Sequence, residues 1–305
     1  MGYVANARDP NWPSAHSLLT TAPVAHRAHV ALMGLATFST SVTPRSTLST
    51  PEAVRRALER FSTWSYSDHI DLSEEVALID YGDLPEPDNE TVQQRLRAIF
   101  DSLDASVELR VVLGGDNAVT WHALSALAAS DMSQWGLITL DAHLDLRDGV
   151  SNGSPVRQLL EAGLPGANVV QVGLADFSNS AFYAQRAHDA GITVISRDEM
   201  RSLSLEDVVD RALAIAGAGG RKVYVDIDMD AGDRSVVPGC PASAPGGLSA
   251  DEMRRFVRRV ASDARVAALD VTEIDVERDS SDQRTVRLAA LLVLEALAGV
   301  WRRRV

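Results

Sequence analysis

Eight short, apolar runs recur along this chain, and most are continuous rather than alternating. Continuous runs are what a strand needs when helices cover both of its faces. They predict strands over residues 29–34, 75–80, 109–113, 137–140, 168–172, 193–195, 222–227 and 266–271. Between them, apolar residues return every three or four positions, predicting helices over 51–61, 89–103, 119–129, 156–162, 180–190, 205–216, 249–262 and 285–301. Pro51, following Thr50 at the first turn, and glycines after several helices mark the boundaries. Strands alternating with helices predict the α/β class: a three-layer α/β/α arrangement with a mainly parallel eight-stranded sheet and right-handed crossovers. Without a repeat, low-complexity tract or linker, residues 1–305 read as one domain, with an N-terminal arm over 1–25.

Composition narrows the picture. Hydrophobic residues make up 46% and charged residues 23%, suiting a folded chain with a large core. The formal charge of −13 argues against nonspecific binding to nucleic acid or an anionic membrane. It leaves an anionic small molecule open, because local arginines override the global sign. Cys240 is the only cysteine, which excludes an internal disulfide and fits a reducing compartment. The opening MGYVANARDPNWPS lacks a signal-peptide core and suits no myristoylation. The apolar stretch 288–301 contains Glu295 and falls short of the roughly 20 residues a span requires. The expectation is a soluble, cytoplasmic protein.

The acidic residues are not evenly spread. GGDNAVT (114–120), LDAHLDL (140–146) and VDIDMD (225–230) each follow a predicted strand. In extended backbone, Asp141, His143 and Asp145 point to one side, as do Asp226, Asp228 and Asp230. Carboxylates grouped with an imidazole at strand ends can hold two divalent metals, and oxygen-rich ligation suits Mn²⁺. Open α/β sheets bind ligands beyond the carboxyl ends of their strands, where all three clusters fall. The Pro-, Gly- and Ser-rich loop 232–247 would wall such a pocket.

These segments resemble the ureohydrolases: arginase, agmatinase, formimidoylglutamase and relatives. GGDNAVT is similar to their GGDH-[SA] motif, DAHLD matches DAH-x-D, and DIDMDAGD is similar to S-x-D-x-D-x-x-D. PGCPASAPGGLS (238–249) and VTEIDVERD (271–279) resemble the following loop and the terminal E-[VI]-[ND]-P stretch. The resemblance implies two Mn²⁺ ions bridged by Asp141 and Asp228. Asp145 and Asn117 would complete one site, and His143 and Asp230 the other. Two ions can lower the pKa of a shared water toward about 7. The implied chemistry is attack on the trigonal carbon of a linear amidine or guanidine, with Asp145 orienting the hydroxide and Glu273 pairing with the substrate's amidinium.

Three positions depart from the family pattern. Asn117 replaces the usual metal-binding histidine, offering an amide oxygen instead. Asn152, in SNGSPV (151–156), stands where arginases carry a proton-shuttling histidine, which disfavours arginase itself. Asp226 stands where serine is usual. Arg147 aligns with a carboxylate-contacting position, and Arg157 opens the next helix. With Asn152, they are the predicted substrate-binding residues. Two arginines at an acidic site favour formimidoylglutamate, which has two carboxylates, over agmatine, which has none. Family members are often oligomeric, so a homo-oligomer is expected.

Plainer roles stand beside these. Asn117 suits a helix N-cap, Glu273 an ordinary surface acid, and Arg147 an ion pair with Asp148. His122 reads as a packed or surface histidine and Cys240 as a bystander or wall. The last residues, 301–305, read as a solvated helix end. Metallophosphoesterases need histidine-rich elements absent here, and no histidine pair favours the deacetylases. The alternatives are agmatinase or another guanidino-acid ureohydrolase and, second, a non-catalytic paralogue with impaired metal binding.

Overall fold

The computed structural model describes residues 9, 11–21, 28–44, 46, 48–129 and 131–305. About half of the predicted arm over 1–25 lies outside them. The strands are β1 (Val30–Leu35), β2 (Trp64–Ser65), β3 (Ile70–Asp71), β4 (Leu78–Asp83), β5 (Leu109–Gly114), β6 (Trp135–Leu140), β7 (Val169–Leu174), β8 (Thr193–Ser196), β9 (Lys222–Asp228) and β10 (Val266–Thr272). The helices are α1 (Thr50–Ala57), α2 (Leu72–Glu75), α3 (Val92–Ser102), α4 (Ala118–Ala128), α5 (Pro155–Glu161), α6 (Ala181–Asp189), α7 (Arg197–Met200), α8 (Leu205–Ala216), α9 (Ala250–Ala261) and α10 (Arg284–Arg302). Eight strands form one sheet in the order β4-β1-β5-β10-β9-β6-β7-β8. Every pairing in it is parallel.

Side-chain alternation divides the core into two layers. Val111, Leu113, Val223, Val225, Ile227, Leu269 and Val271 face α1, α8, α9 and α10. Val112, Leu137, Tyr224 and Ala268 face α3, α4, α5 and α6. Asp226, Asp228, Asp270 and Thr272 share the parity of Tyr224 and Ala268, so the polar column lies on this second side.

The connection from β5 to β6 leaves a gap two strands wide, which β9 and β10 later fill. The four central strands therefore end side by side, although they come from distant parts of the sequence. Their carboxyl ends carry all three acidic clusters.

Boundaries differ where local hydrogen bonds compete with the apolar pattern. The run over 75–80 becomes a strand only from Leu78, because Asp71 caps the short helix α2 and Glu75 belongs to it. The helix over 89–103 begins at Val92, since the Asn89 side chain accepts from Thr91 N in a local turn. The two-residue strands β2 and β3 were not predicted. Among the described residues, no helix is long and apolar enough to cross a membrane.

Candidate metal centre and substrate cavity

Asp141, His143 and Asp145 follow β6, while Asp228 closes β9 and Asp230 follows it in a tight turn. Both segments tie down their own backbone. Asp141 Oδ1 accepts from His143 N at 2.6 Å, and Asp228 Oδ1 accepts from Asp230 N at 2.8 Å. They also lock together, with Ala142 N donating to Asp230 Oδ1 at 3.0 Å. Two groups of potential ligand atoms result, each within 4.8 Å of one another: Asp141 with His143 and Asp230, and Asp141 with Asp145 and Asp226. Asp141 belongs to both.

The donor set fits divalent cations. Asp141 Oδ2 and Asp226 Oδ1 are buried without any hydrogen-bond partner, an arrangement that costs free energy unless a cation meets them. Burial, reinforced by neighbouring carboxylates, pushes Asp141, Asp226 and Asp228 well above the usual range. Burial also raises Asp145 to about 7, with His143 partly opposing it. Burial would raise Asp230 too, but the imidazole of His143 at 2.7 Å brings it down. Burial works against charge on His143 as well. Asp230 overrides it, and the imidazole rises to about 9.

Asn117 occupies the N-cap position of α4, yet its side chain makes no cap hydrogen bond. Instead, its Nδ2 donates to Asp145 Oδ2 at 2.5 Å, and its Oδ1 accepts from Thr272 and Thr120 at 2.9 and 3.1 Å. The amide thus presents nitrogen to the carboxylates, whereas the sequence reading has it present oxygen. Rotating the amide by half a turn exchanges the two ends. Thr120 tolerates this, because its single proton can go to Asp270 Oδ2 at 2.9 Å while its oxygen accepts.

Glu273 follows β10 and is buried. Its Oε1 accepts from Asn117 N at 2.8 Å and Asn152 Nδ2 at 2.9 Å. Glu273 and Asp145 both adopt positive φ, at 63° and 52°, a conformation that costs energy outside glycine and clusters at functional sites.

A cavity of about 250 Å³ opens onto these residues, lined by His143, Asp145, Asp228, Asp230 and Glu273, with Arg147, Asn152, Ser178, Asn179 and Tyr183 among its walls. Arg147 makes no ion pair with any described residue. Asp148 pairs with Arg186 at 2.8 Å instead. Gly153 leaves room for the Arg147 stem, since a Cβ there would meet Arg147 Cδ at 2.6 Å. Arg157 does not line the cavity. Its Nε donates to Arg147 O at 2.7 Å and its other nitrogens hold Gly149 O and Glu161, bracing the loop from behind. The loop after β9 contributes Ala242 to the wall, while Cys240 is buried outside it. His122 is half-buried and lines a separate cavity with Trp121.

Asn179, which the sequence reading passed over, clamps the segment bearing the clustered acids. It accepts from Leu144 N at 2.9 Å and donates to Ala142 O at 3.0 Å, straddling His143. The available signal was positional: it lies just past the carboxyl end of β7.

The arginase family pattern matches residues 28–299. A formimidoylglutamase of Halalkalibacterium halodurans is 32% identical over 278 residues, covering 88% of this chain and 86% of that protein. The crystal structure of formimidoylglutamase from Bacillus subtilis superposes with a TM-score of 0.88 at 28% identity, covering 99% of this chain and 96% of that one. A Trypanosoma cruzi formiminoglutamase structure containing Mn²⁺ shares the fold, with a TM-score of 0.84 at 24% identity over 96% of this chain and 99% of its own. The chain belongs to the arginase family.

Proposed function

We propose that this protein is a binuclear-metal hydrolase that cleaves a C–N bond of a linear amidine, with formimidoylglutamate preferred and manganese as the metal. One observation carries the reading. A single cavity joins His143, Asp145, Asp228 and Asp230 to Glu273 on one side and, at its rim, to Arg147, which pairs with no described residue; Asp141, whose Oδ2 is orphaned, lies within 4.8 Å of the ligand atoms of His143, Asp145 and Asp230. Asp141, His143 and Asp230 would hold one ion; Asp145 and Asn117, with its amide rotated, would hold the other. Asp228 and the shared Asp141 would serve both. Asp226, with a carboxylate oxygen within 4.8 Å of Asp141 and Asp145, would add negative charge at the second. When bound, two such ions supply Lewis acidity and water ionisable near pH 7.

The chain's own groups do the rest. Glu273 pairs with the substrate's amidinium by a charge-assisted bond, its Oε1 already oriented by two N–H donors. Asp145, buried and strained at the cavity wall, holds the proton of the attacking water. Arg147 takes an anionic end of the substrate, and Asn152 serves the site through Glu273. Breaking the C–N bond releases formamide from a formimidoyl group, or urea from a guanidine.

The test is a panel assay with added Mn²⁺, comparing formimidoylglutamate, agmatine, arginine, guanidinobutyrate and guanidinopropionate, with formamide, ammonia and urea scored separately. Formimidoylglutamate should be turned over fastest. Arg147→Ala should raise its KM about tenfold, the loss of one charge-assisted hydrogen bond, and leave the KM of agmatine unchanged. No turnover of any compound by protein carrying two manganese per chain would overturn the hydrolase reading. One ion or none would favour the non-catalytic alternative.

A further inference from the structure

Asp116 is completely buried, yet its carboxylate belongs to neither group of clustered acids. Its Oδ2 accepts from Thr40 Oγ1 and Ser41 Oγ, both at 3.0 Å, and its Oδ1 accepts from Ala118 N at 3.3 Å. The backbones are joined as well, with Asp116 N donating to Thr37 O at 2.8 Å. The approach is so close that a Cβ on Gly115 would meet Thr37 O at 2.0 Å, which explains the second glycine of the motif. Asp88 holds the outer side of the same segment, accepting from Ser39 Oγ at 2.8 Å and from Phe38 N and Ser39 N.

This fastened segment determines how Asn152 is presented. Asn152 N donates to Thr40 O at 3.0 Å, and Val42 N donates to Asn152 Oδ1 at 3.0 Å. A backbone N–H can meet only the oxygen of that amide. Val42 therefore dictates which way the amide faces and directs its NH₂ group to Glu273 Oε1.

We propose that the segment from Thr37 to Val42, fastened by Asp116, is a positioning device that orients Glu273 through Asn152 and so sets the affinity for the substrate's cationic end. This rests on the reading that Glu273 holds the amidinium. Asp116, Thr40 and Ser41 are positioning residues: they act on the substrate only through Asn152 and Glu273.

The test uses the full-length, manganese-loaded chain and whichever compound of the panel is turned over fastest. Thr40→Val combined with Ser41→Ala removes both hydroxyl donors with little change in volume. KM should rise about tenfold, on the order of one lost oriented hydrogen bond, while kcat and manganese content stay close to wild type and Tm falls by a few degrees, because Asp116 Oδ2 loses its two donors. Thr40→Ser, which keeps the hydroxyl, should retain the wild-type KM. Glu273→Gln run in parallel separates the two levels. If Glu273→Gln raises KM and the double variant does not, the positioning role is wrong and the functional reading stands. A fall in Tm or kcat at unchanged KM would mean that the hydroxyls serve only folding. If Glu273→Gln leaves KM unchanged, the functional reading itself fails and the positioning role falls with it.

Discussion

Two sets of buried carboxylates in this molecule live in opposite surroundings. At the seam of α9 and α10, Glu295 is paired with Arg254 and Arg258, and Asp68 with Arg258 and Arg302. The arginines bring Asp68 below its ordinary value although burial opposes them. At the ends of β6 and β9, five buried aspartates share one imidazole, and two of their oxygens meet nothing. The first set is neutralised by the chain itself and holds the β2–β3 turn against the helices. The second is left for cations that the sequence does not encode. The same residue type thus serves structure where a partner is built in, and function where one is withheld.

The sharpest way to break this contrast is to delete a site carboxylate. Asp141→Ala or Asp228→Ala should lower kcat/KM by more than the roughly 10–100-fold that loss of an outer partner costs a metal site, with no loss of folded protein. Without metal these groups repel one another, so the stripped variants should melt no lower than the stripped wild type. Retained turnover in either variant would sink the assignment. Glu295→Gln should do the reverse, because it leaves Arg254 without a carboxylate partner among the described residues and Arg258 with Asp68 alone. Its Tm should fall by roughly 5 °C, at about 2–4 °C per kcal/mol for large domains, with kcat/KM per folded molecule unchanged.

Acidity sharpens the contrast further. Asp145 is raised to about 7, so without metal the folded state holds that proton more tightly than the unfolded chain. Its contribution to stability is therefore lost as pH rises from about 4 through about 7. His143, raised to about 9, contributes fully below its ordinary 6.5 and loses this through about 9. Metal-free protein should lose stability as pH rises, while cation binding, which needs the deprotonated carboxylates, strengthens. The Tm gap between manganese-loaded and stripped protein should widen between about pH 5 and pH 8; a constant gap would contradict the account. The smallest effect is reserved for Asn117→His. It should slow manganese loss to a chelator severalfold, imidazole being the stronger donor, and unchanged retention would remove Asn117 from the ligands.

The sheet was legible because its strands are buried on both faces, which leaves continuous apolar runs in the sequence. The acidic clusters were legible because each follows an apolar strand run, although strand parity applies only to Asp226 and Asp228; Asp141, His143, Asp145 and Asp230 lie in turns just past β6 and β9. What escaped was held by single hydrogen bonds that have no period. Asp71 turned part of a predicted strand into helix by capping it, and Asn179 clamps its neighbours across the sheet without any local motif. The orientation of an amide is equally invisible in one dimension. The sequence marks Asn117 for the site, but nothing in it shows that the amide nitrogen faces Asp145 while Thr120 and Thr272 hold the oxygen. Arg157 is the opposite case: a charge at a suitable spacing whose nitrogens are taken up by Arg147 O, Gly149 O and Glu161.

The late insertion of β9 and β10 between β5 and β6 has a bearing on how this protein is made. During synthesis the first two acid-bearing segments emerge long before the strands that must part them, at about 5–20 residues per second. Until the final third of the chain docks, no complete cage can exist, and a half-cage would hold an ion poorly. Capture of metal should therefore coincide with the closing step of folding, making a loaded centre a certificate that the chain has finished.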